Sequence, residues 1–115
     1  MWEVEVETNA QRELDELPAR ERAALGQVIN KLKVDGPSLG APHTSSIVGA
    51  SGTLRELRPR QGRSRWRGFY RRIGDTLVIG AFGPEAQVDS RGFDRAVRRA
   101  IDRLDAWATT RGIST

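Results

Sequence analysis

The chain opens with a strict alternation of apolar and acidic side chains. Residues 2–7 read WEVEVE, which is the period of a half-buried strand whose outer face is lined by carboxylates. Thr8 and Asn9 are residue types that cap helices, so we expect a helix to begin there. Its apolar stripe stops before Pro18.

A second helix is predicted after Pro18, a residue that suits the first helical turn. Apolar side chains recur at helical spacing up to Asp35 and Gly36. They are Leu25, Val28, Ile29 and Leu32. We expect the two helices to form a hairpin that packs its apolar stripe against a sheet. Residues 36–52 are rich in Gly, Pro and Ser without a sustained period, which indicates a connector.

Three strands are predicted in a meander, at about residues 53–58, 65–73 and 76–82. Residues 59–62 and 74–75 contain Pro or Gly and supply the turns. The third strand, TLVIGAF, is almost wholly apolar and is typical of a strand buried on both faces. The other two carry charge and are expected to be more exposed. Because Leu54 and Leu57 fall on opposite faces, we expect either a bulge in the first strand or a twist at an edge of the sheet.

The last element is an amphipathic helix over residues 92–107. Its apolar residues fall at offsets of 3, 4, 7, 8, 11 and 14 from Phe93. The opposite face mixes arginine with aspartate, which predicts ion pairs along the helix surface. Together the elements predict one α+β domain over residues 1–115, in the order β-α-α-β-β-β-α.

Composition excludes several kinds of site. The chain has no cysteine and one histidine, His43, so disulfides, thiol catalysis and multi-histidine zinc sites are excluded, and we expect no metal or cofactor. His43 is either a proton carrier or polar surface. The acidic N-terminus is unlike a signal peptide, and no apolar run approaches the roughly 20 residues of a membrane span. We therefore expect a cytoplasmic protein with no membrane partner.

Positive charge is concentrated in the middle of the chain. The net charge is +4 and the sequence pI is about 10.6, but residues 55–72 hold eight arginines against one acid, Glu56. Guanidinium groups grip phosphates with two parallel N–H donors, and aromatic rings between them offer flat faces to bases. Polyanion binding is the first interpretation; a solvated arginine face with its aromatic residues in the core is the other.

The order of elements, with LRELRP at residues 54–59 and RWRGFY at residues 65–70, resembles the RelE/ParE toxin superfamily and, within it, the phage-derived HigB-like branch. The resemblance implies a RelE-like fold and a type II toxin that cuts mRNA on the ribosome without metal. It also implies a cognate antitoxin, often a helix-turn-helix protein, that holds the toxin silent.

The resemblance also implies roles for individual residues. Arg67 matches an arginine that stabilises transition-state charge, and Arg58 would hold the scissile phosphate. Tyr70 would stack on a base or donate a proton, or else anchor the sheet. Glu56 would act as the base, or else pair with a neighbouring arginine, Arg55 or Arg65. The supplementary RNA contacts would be Arg55, Arg60, Arg63 and Arg65.

Two departures from the family pattern keep other functions open. No basic residue occurs between Gly83 and Ser90, and no His or Tyr follows Tyr70. A family member that binds without cutting would fit these departures, either a gyrase inhibitor of the ParE kind or a module that binds nucleic acid or an antitoxin. A third possibility is an interaction domain whose basic hairpin docks on an acidic protein.

Overall fold

A computed structural model describes residues 1–47 and 53–113. The elements are β1 (Glu3–Val6), α1 (Thr8–Glu16), α2 (Ala19–Asp35), β2 (Thr44–Ser46), β3 (Arg55–Leu57), β4 (Trp66–Ile73), β5 (Thr76–Pro84) and α3 (Ser90–Thr110). This order confirms the predicted α+β fold. The predicted connector is not wholly irregular, because it contains β2 and a short 3-10 turn at Gly36–Ser38. Its residues 48–52 lie outside the described residues.

The five strands form one sheet in the order β1-β5-β4-β3-β2, in which β1 runs parallel to β5 and the other pairs are antiparallel. Helices α1 and α2 cover one face, and α3 covers the other. Strand β5 is buried between its half-buried ends, Thr76 and Pro84, as its apolar sequence predicts. Strand β4 is buried too, apart from Trp66 and Arg72, so the prediction of an exposed β4 is wrong. A central strand between helices on both faces cannot be solvated, whatever charge it carries.

The two leucines that suggested a bulge pack into two separate cores. Leu57 contacts the α1–α2 side and Leu54 the α3 side, so the first strand of the meander needs no bulge. The irregularity lies instead between β4 and β5, where Phe69 pairs with Ala81 but Tyr70 pairs with Ile79. The unpaired position in β5 belongs to Gly80.

Gly80 allows α3 to approach the sheet closely. A Cβ atom at this position would lie 2.7 Å from Leu104 Cγ and 3.0 Å from the Ala100 carbonyl oxygen. Because one of these neighbours is helix backbone, the absence of a side chain sets the distance between α3 and β5.

The first helix is capped by Glu7, one residue before the predicted caps Thr8 and Asn9. The carboxylate of Glu7 accepts hydrogen bonds from the backbone N–H groups of Asn9, at 2.7 Å, and Ala10, at 3.0 Å. Thr8 and Asn9 are therefore helical residues, and Glu7 satisfies the donors that a helix N-terminus leaves unpaired.

Arginines of α3 bond to other elements rather than to aspartates of their own helix. Glu13 on α1 accepts hydrogen bonds from Arg99 at 2.9 Å, from Arg103 at 3.0 Å and from the backbone N–H of Phe82 at 3.0 Å. The same arginines donate to the carbonyl oxygens of Phe82 and Gly80. Strand β1 pairs with β5 only as far as residue 79. Beyond that point the side chains of Glu13, Arg99 and Arg103 form hydrogen bonds with the backbone groups on this edge of β5. Over residues 90–110 no ion pair joins two residues of α3, and that prediction is wrong.

No helix in residues 1–47 and 53–113 combines the length and the apolar character needed to cross a bilayer.

Candidate active site

The predicted turn at residues 59–62 joins β3 to β4, and its backbone is unusual. Arg60 and Gln61 adopt positive φ angles of 53° and 58°, a conformation that costs free energy for residues other than glycine. An ion pair between Arg60 and Glu21 of α2 offsets part of this cost. The Nη1 atom of Arg60 lies 2.7 Å from the Glu21 carboxylate. The turn is therefore held against α2, and Arg60 does not line the cleft described below.

Arg67 is the buried centre of this region, with 3% of its surface exposed. Its guanidinium donates to the backbone carbonyls of Ser64, Trp66 and Gly62, and to the carboxylate of Glu85 at 2.7 Å. These bonds tie the start of β4 to the turn and to the segment that follows β5. Arg67 therefore holds these segments together in addition to contributing a positive charge to the region.

Glu56 lies between two arginines. One of its oxygens, Oε1, is 3.6 Å from Arg58 Nη1 and 3.7 Å from Arg67 Nε, and accepts a hydrogen bond from the Ser45 hydroxyl at 3.0 Å. Its side chain is 13% exposed. The expected pairing of Glu56 with Arg55 or Arg65 is wrong, because these arginines lie elsewhere.

A cleft of about 430 Å³ opens over these side chains, between β3, the turn and the N-terminal end of α3. We name it the arginine–glutamate cleft; its lining comprises Ser46, Ile47, Glu56, Arg58, Gly62, Arg67, Glu85, Ala86, Gln87 and Phe93. Two arginines and two glutamates make its formal charge zero. The structure therefore brings together three of the four residues assigned a catalytic role from the sequence.

The electrostatics of the cleft centre on Arg67. Burial lowers the pKa of Arg67 below its ordinary value, while the carboxylates of Glu56 and Glu85 raise it and the charge of Arg58 lowers it further. Within the described residues the Nε atoms of Arg58 and Arg67 are buried without a hydrogen-bond partner. Glu56 Oε1, at 3.7 Å, lies just beyond hydrogen-bond distance of Arg67 Nε.

Tyr70, the fourth residue assigned to catalysis, is 2% exposed and belongs to the core beneath α1 and α2. Its ring anchors the sheet, the alternative role considered for it, and is not accessible to stack on a base.

The four arginines assigned to supplementary RNA contacts point in different directions. Arg55 donates to Thr44 and Ser46 of β2, at 2.9 and 2.8 Å. Arg60 pairs with α2, and Arg63 is exposed on the turn. Arg65 lines a different concave surface. They do not form one binding surface with the cleft.

Glu85 is the cleft residue that sequence reasoning missed. The segment GPEA at residues 83–86 stood out because it lacks a basic residue, but an acid at this position was not connected with Arg67. His43 is absent from the cleft lining. In the described part of the chain, no three His, Cys, Asp or Glu side chains group together as a metal site.

The chain matches a known protein family. The model of the family described as phage-derived Gp49-like protein (DUF891) matches residues 12–80, which include the second half of α1, all of α2, β2, β3 and β4, and the first five residues of β5. None of the curated proteins matches the chain.

Solved structures with a similar fold are toxins of the RelE type. A double-arginine variant of the E. coli toxin RelE in the free state superimposes with a TM-score of 0.60 and 17% identity, covering 85% of this chain and 96% of RelE. The toxin–antitoxin complex RelBE2 of Mycobacterium tuberculosis gives 0.56 and 22%, covering 73% and 98%. The archaeal RelE–RelB complex of Pyrococcus horikoshii gives 0.52 and 17%, covering 72% and 93%. At these identities the likeness shows the fold alone.

Proposed function

Because the chain belongs to the phage-derived Gp49-like family and has the fold of the RelE toxins, we propose that it is the toxin of a type II toxin–antitoxin pair, an endoribonuclease that cuts mRNA on the ribosome. The observation that supports this activity is the placement of Glu56 between Arg58 and Arg67 in one cleft. A carboxylate between two guanidiniums provides a proton acceptor beside positive charge.

Cleavage of RNA by its own 2′-hydroxyl forms a new O–P bond to that oxygen and breaks the P–O bond to the 5′-oxygen. Glu56 takes the proton of the 2′-hydroxyl. Arg58, whose side chain is 34% exposed, contacts the phosphate as negative charge develops on the phosphate oxygens. The positive charge of the buried Arg67 stabilises the same negative charge electrostatically.

The departing 5′-oxygen takes a proton from water, since no His, Lys or Tyr lines the cleft. In this scheme each step is assigned to a side chain or to water, and cleavage proceeds without a metal ion or other cofactor.

The proposal includes a cognate antitoxin. Two of the structures with this fold were determined as toxin–antitoxin complexes, and a toxin that acts on ribosomes in the cytoplasm needs such a partner to be kept silent. We propose that the antitoxin is a small helix-turn-helix protein.

Conditional expression in a bacterial host, followed by mapping of transcript 5′ ends, tests the proposal. We expect growth arrest and new 5′ ends within coding regions, both relieved by co-expression of the antitoxin. Arg58→Ala should abolish the new ends. Arg63→Ala, which removes an exposed arginine outside the cleft lining, should leave them unchanged. Arrest with intact transcripts contradicts the nuclease activity.

A second candidate function is supported by the neutral charge of the cleft and by the acid at position 85. A cleft without net positive charge and without a proton donor of the His, Lys or Tyr type suits a family member that binds but does not cut. Such a protein would inhibit gyrase or bind nucleic acid or an antitoxin. Inhibition of gyrase supercoiling by the purified protein, without RNA products from translating ribosomes, would establish the gyrase form.

A further inference from the structure

A second concave surface, which we name the basic groove, lies on the other side of the segment that follows β5. Its volume is about 560 Å³. The lining residues are Arg65, Trp66, Phe82, Gly83, Pro84, Val88, Asp89, Gly92, Arg95 and Arg99. Residues 84–89 separate the two concavities, because Pro84, Val88 and Asp89 line the groove while Glu85 lines the cleft.

The groove carries the positive charge that the cleft lacks. Three arginines and one aspartate line it, a formal charge of +2 against zero for the cleft. Arg99 already pairs with Glu13 at 2.9 Å, so Arg65 and Arg95 supply the charge that is open to a ligand. Arg65 and Arg95 are exposed, and across residues 1–47 and 53–113 no ion pair involves either of them. Asp89 uses its carboxylate to accept the Gly92 N–H at 2.9 Å, as the cap of α3.

Apolar side chains lie beside these guanidiniums. Trp66 lines the groove and is half-buried, because its side chain also packs against the core on the α1–α2 side. Val88 is 44% exposed, which is unusual for an aliphatic side chain in this protein. A basic groove with an aromatic face is the combination with which proteins bind single-stranded nucleic acid, since phosphates pair with the cations and a base stacks on the ring.

We propose that the basic groove binds the single-stranded RNA that flanks the phosphate in the arginine–glutamate cleft. The strand crosses residues 84–89, so that neighbouring phosphates reach Arg65 and Arg95 and a base lies against Trp66. This assignment deepens the proposed nuclease function and rests on it for the identity of the strand. The basic groove contributes affinity for the RNA strand, and the arginine–glutamate cleft carries the residues that cleave it.

The test measures binding of a short fluorescein-labelled oligouridine with 2′-O-methyl riboses, which cannot be cleaved, by fluorescence anisotropy at several salt concentrations. The double variant Arg65→Ala/Arg95→Ala should bind at least about tenfold more weakly. The slope of log K against log salt should fall by about 1.4, because each phosphate contact on a single strand contributes about 0.7.

The matched control is Arg12→Ala/Lys31→Ala, which removes the same charge from exposed positions on α1 and α2. Its salt slope should equal that of the unaltered protein. Equal losses in the two double variants would show a diffuse charge effect and overturn the assignment. Failure of the unaltered protein to bind the oligonucleotide, with salt-sensitive binding of an acidic protein at Arg65 and Arg95, would also overturn it.

Cleavage by programmed ribosomes separates this assignment from the proposed function. If the groove variant loses oligonucleotide binding but the unaltered protein gives no cleavage products, the nuclease proposal fails and the groove stands as an RNA site. If the unaltered protein cuts mRNA and the groove variant binds and cuts equally well, the groove assignment fails alone.

Discussion

Arg67 Nη2 lies 2.7 Å from Glu85 Oε2, and this ion pair forms one wall of the arginine–glutamate cleft. The guanidinium is 3% exposed and the carboxylate side chain 23%. A phosphate that approaches Arg67 through the cleft therefore meets a carboxylate that already pairs with it. Glu85 competes with an anionic ligand for the same cation.

Replacing Glu85 by Gln should strengthen oligonucleotide binding. The amide keeps an acceptor for Arg67 but removes one negative charge, so we expect about three- to tenfold tighter binding at low salt, since charges a few ångströms apart near a protein surface interact by about 1–3 kcal/mol before screening. The assay is the same anisotropy titration. Glu21→Gln is the matched control, because Glu21 pairs with Arg60 outside the cleft. Equal gains in both variants would mean that net charge alone is responsible.

Replacing Arg67 by Ala should destabilise the fold as well as reduce cleavage. Removal of this buried cation leaves Glu85 and three backbone carbonyls without their donor and takes a positive charge away from Glu56, which should lower the free energy of unfolding by about 3 kcal/mol or more. Arg60→Ala removes an arginine whose side chain is 40% exposed and should cost less than about 1 kcal/mol. Urea denaturation measures both. A loss for Arg67→Ala no greater than the loss for Arg60→Ala would contradict the framework role.

Replacing Glu56 by Gln should slow cleavage without weakening RNA binding. Loss of the proton acceptor should reduce the single-turnover rate on programmed ribosomes by about 100-fold or more. Oligonucleotide affinity should be unchanged or higher, since the cleft loses a negative charge. Glu16→Gln, on the exposed surface of α1, serves as the control. A rate within a fewfold of the unaltered protein would remove Glu56 from the mechanism.

Two glycines should respond to alanine in opposite directions. In Gly80→Ala the new methyl meets Leu104 and the Ala100 backbone of α3, which should lower stability by about 1–3 kcal/mol. In Gly26→Ala the methyl has no neighbour within 4 Å inside α2, and the better helix former should add about 0.5–1 kcal/mol. Thermal unfolding followed by circular dichroism distinguishes them. A melting temperature for Gly80→Ala that is unchanged or raised would contradict the close packing of α3 on β5.

Local pattern was sufficient for most of the fold. Alternation of apolar and acidic residues places β1, helical spacing places α2 and α3, and the apolar run TLVIGAF places β5 as a strand buried on both faces. The spacing of apolar residues shows which face of a helix or strand is buried, but it does not show which other element packs against that face. It therefore gave no signal for β2, a strand of three residues in a Gly-rich connector.

The candidate site depended on contacts between residues far apart in the chain. Arg67 pairs with Glu85 across 18 positions, and Arg99, which lines the basic groove, pairs with Glu13 across 86. The sequence determined that arginines would be concentrated on a β-hairpin. Only the tertiary structure decided that Arg67 is buried and that Arg65, just before the start of β4, faces a different groove. The physical reason is that a side chain's charge is a property of the residue, whereas its burial and its partner depend on which distant elements pack against it.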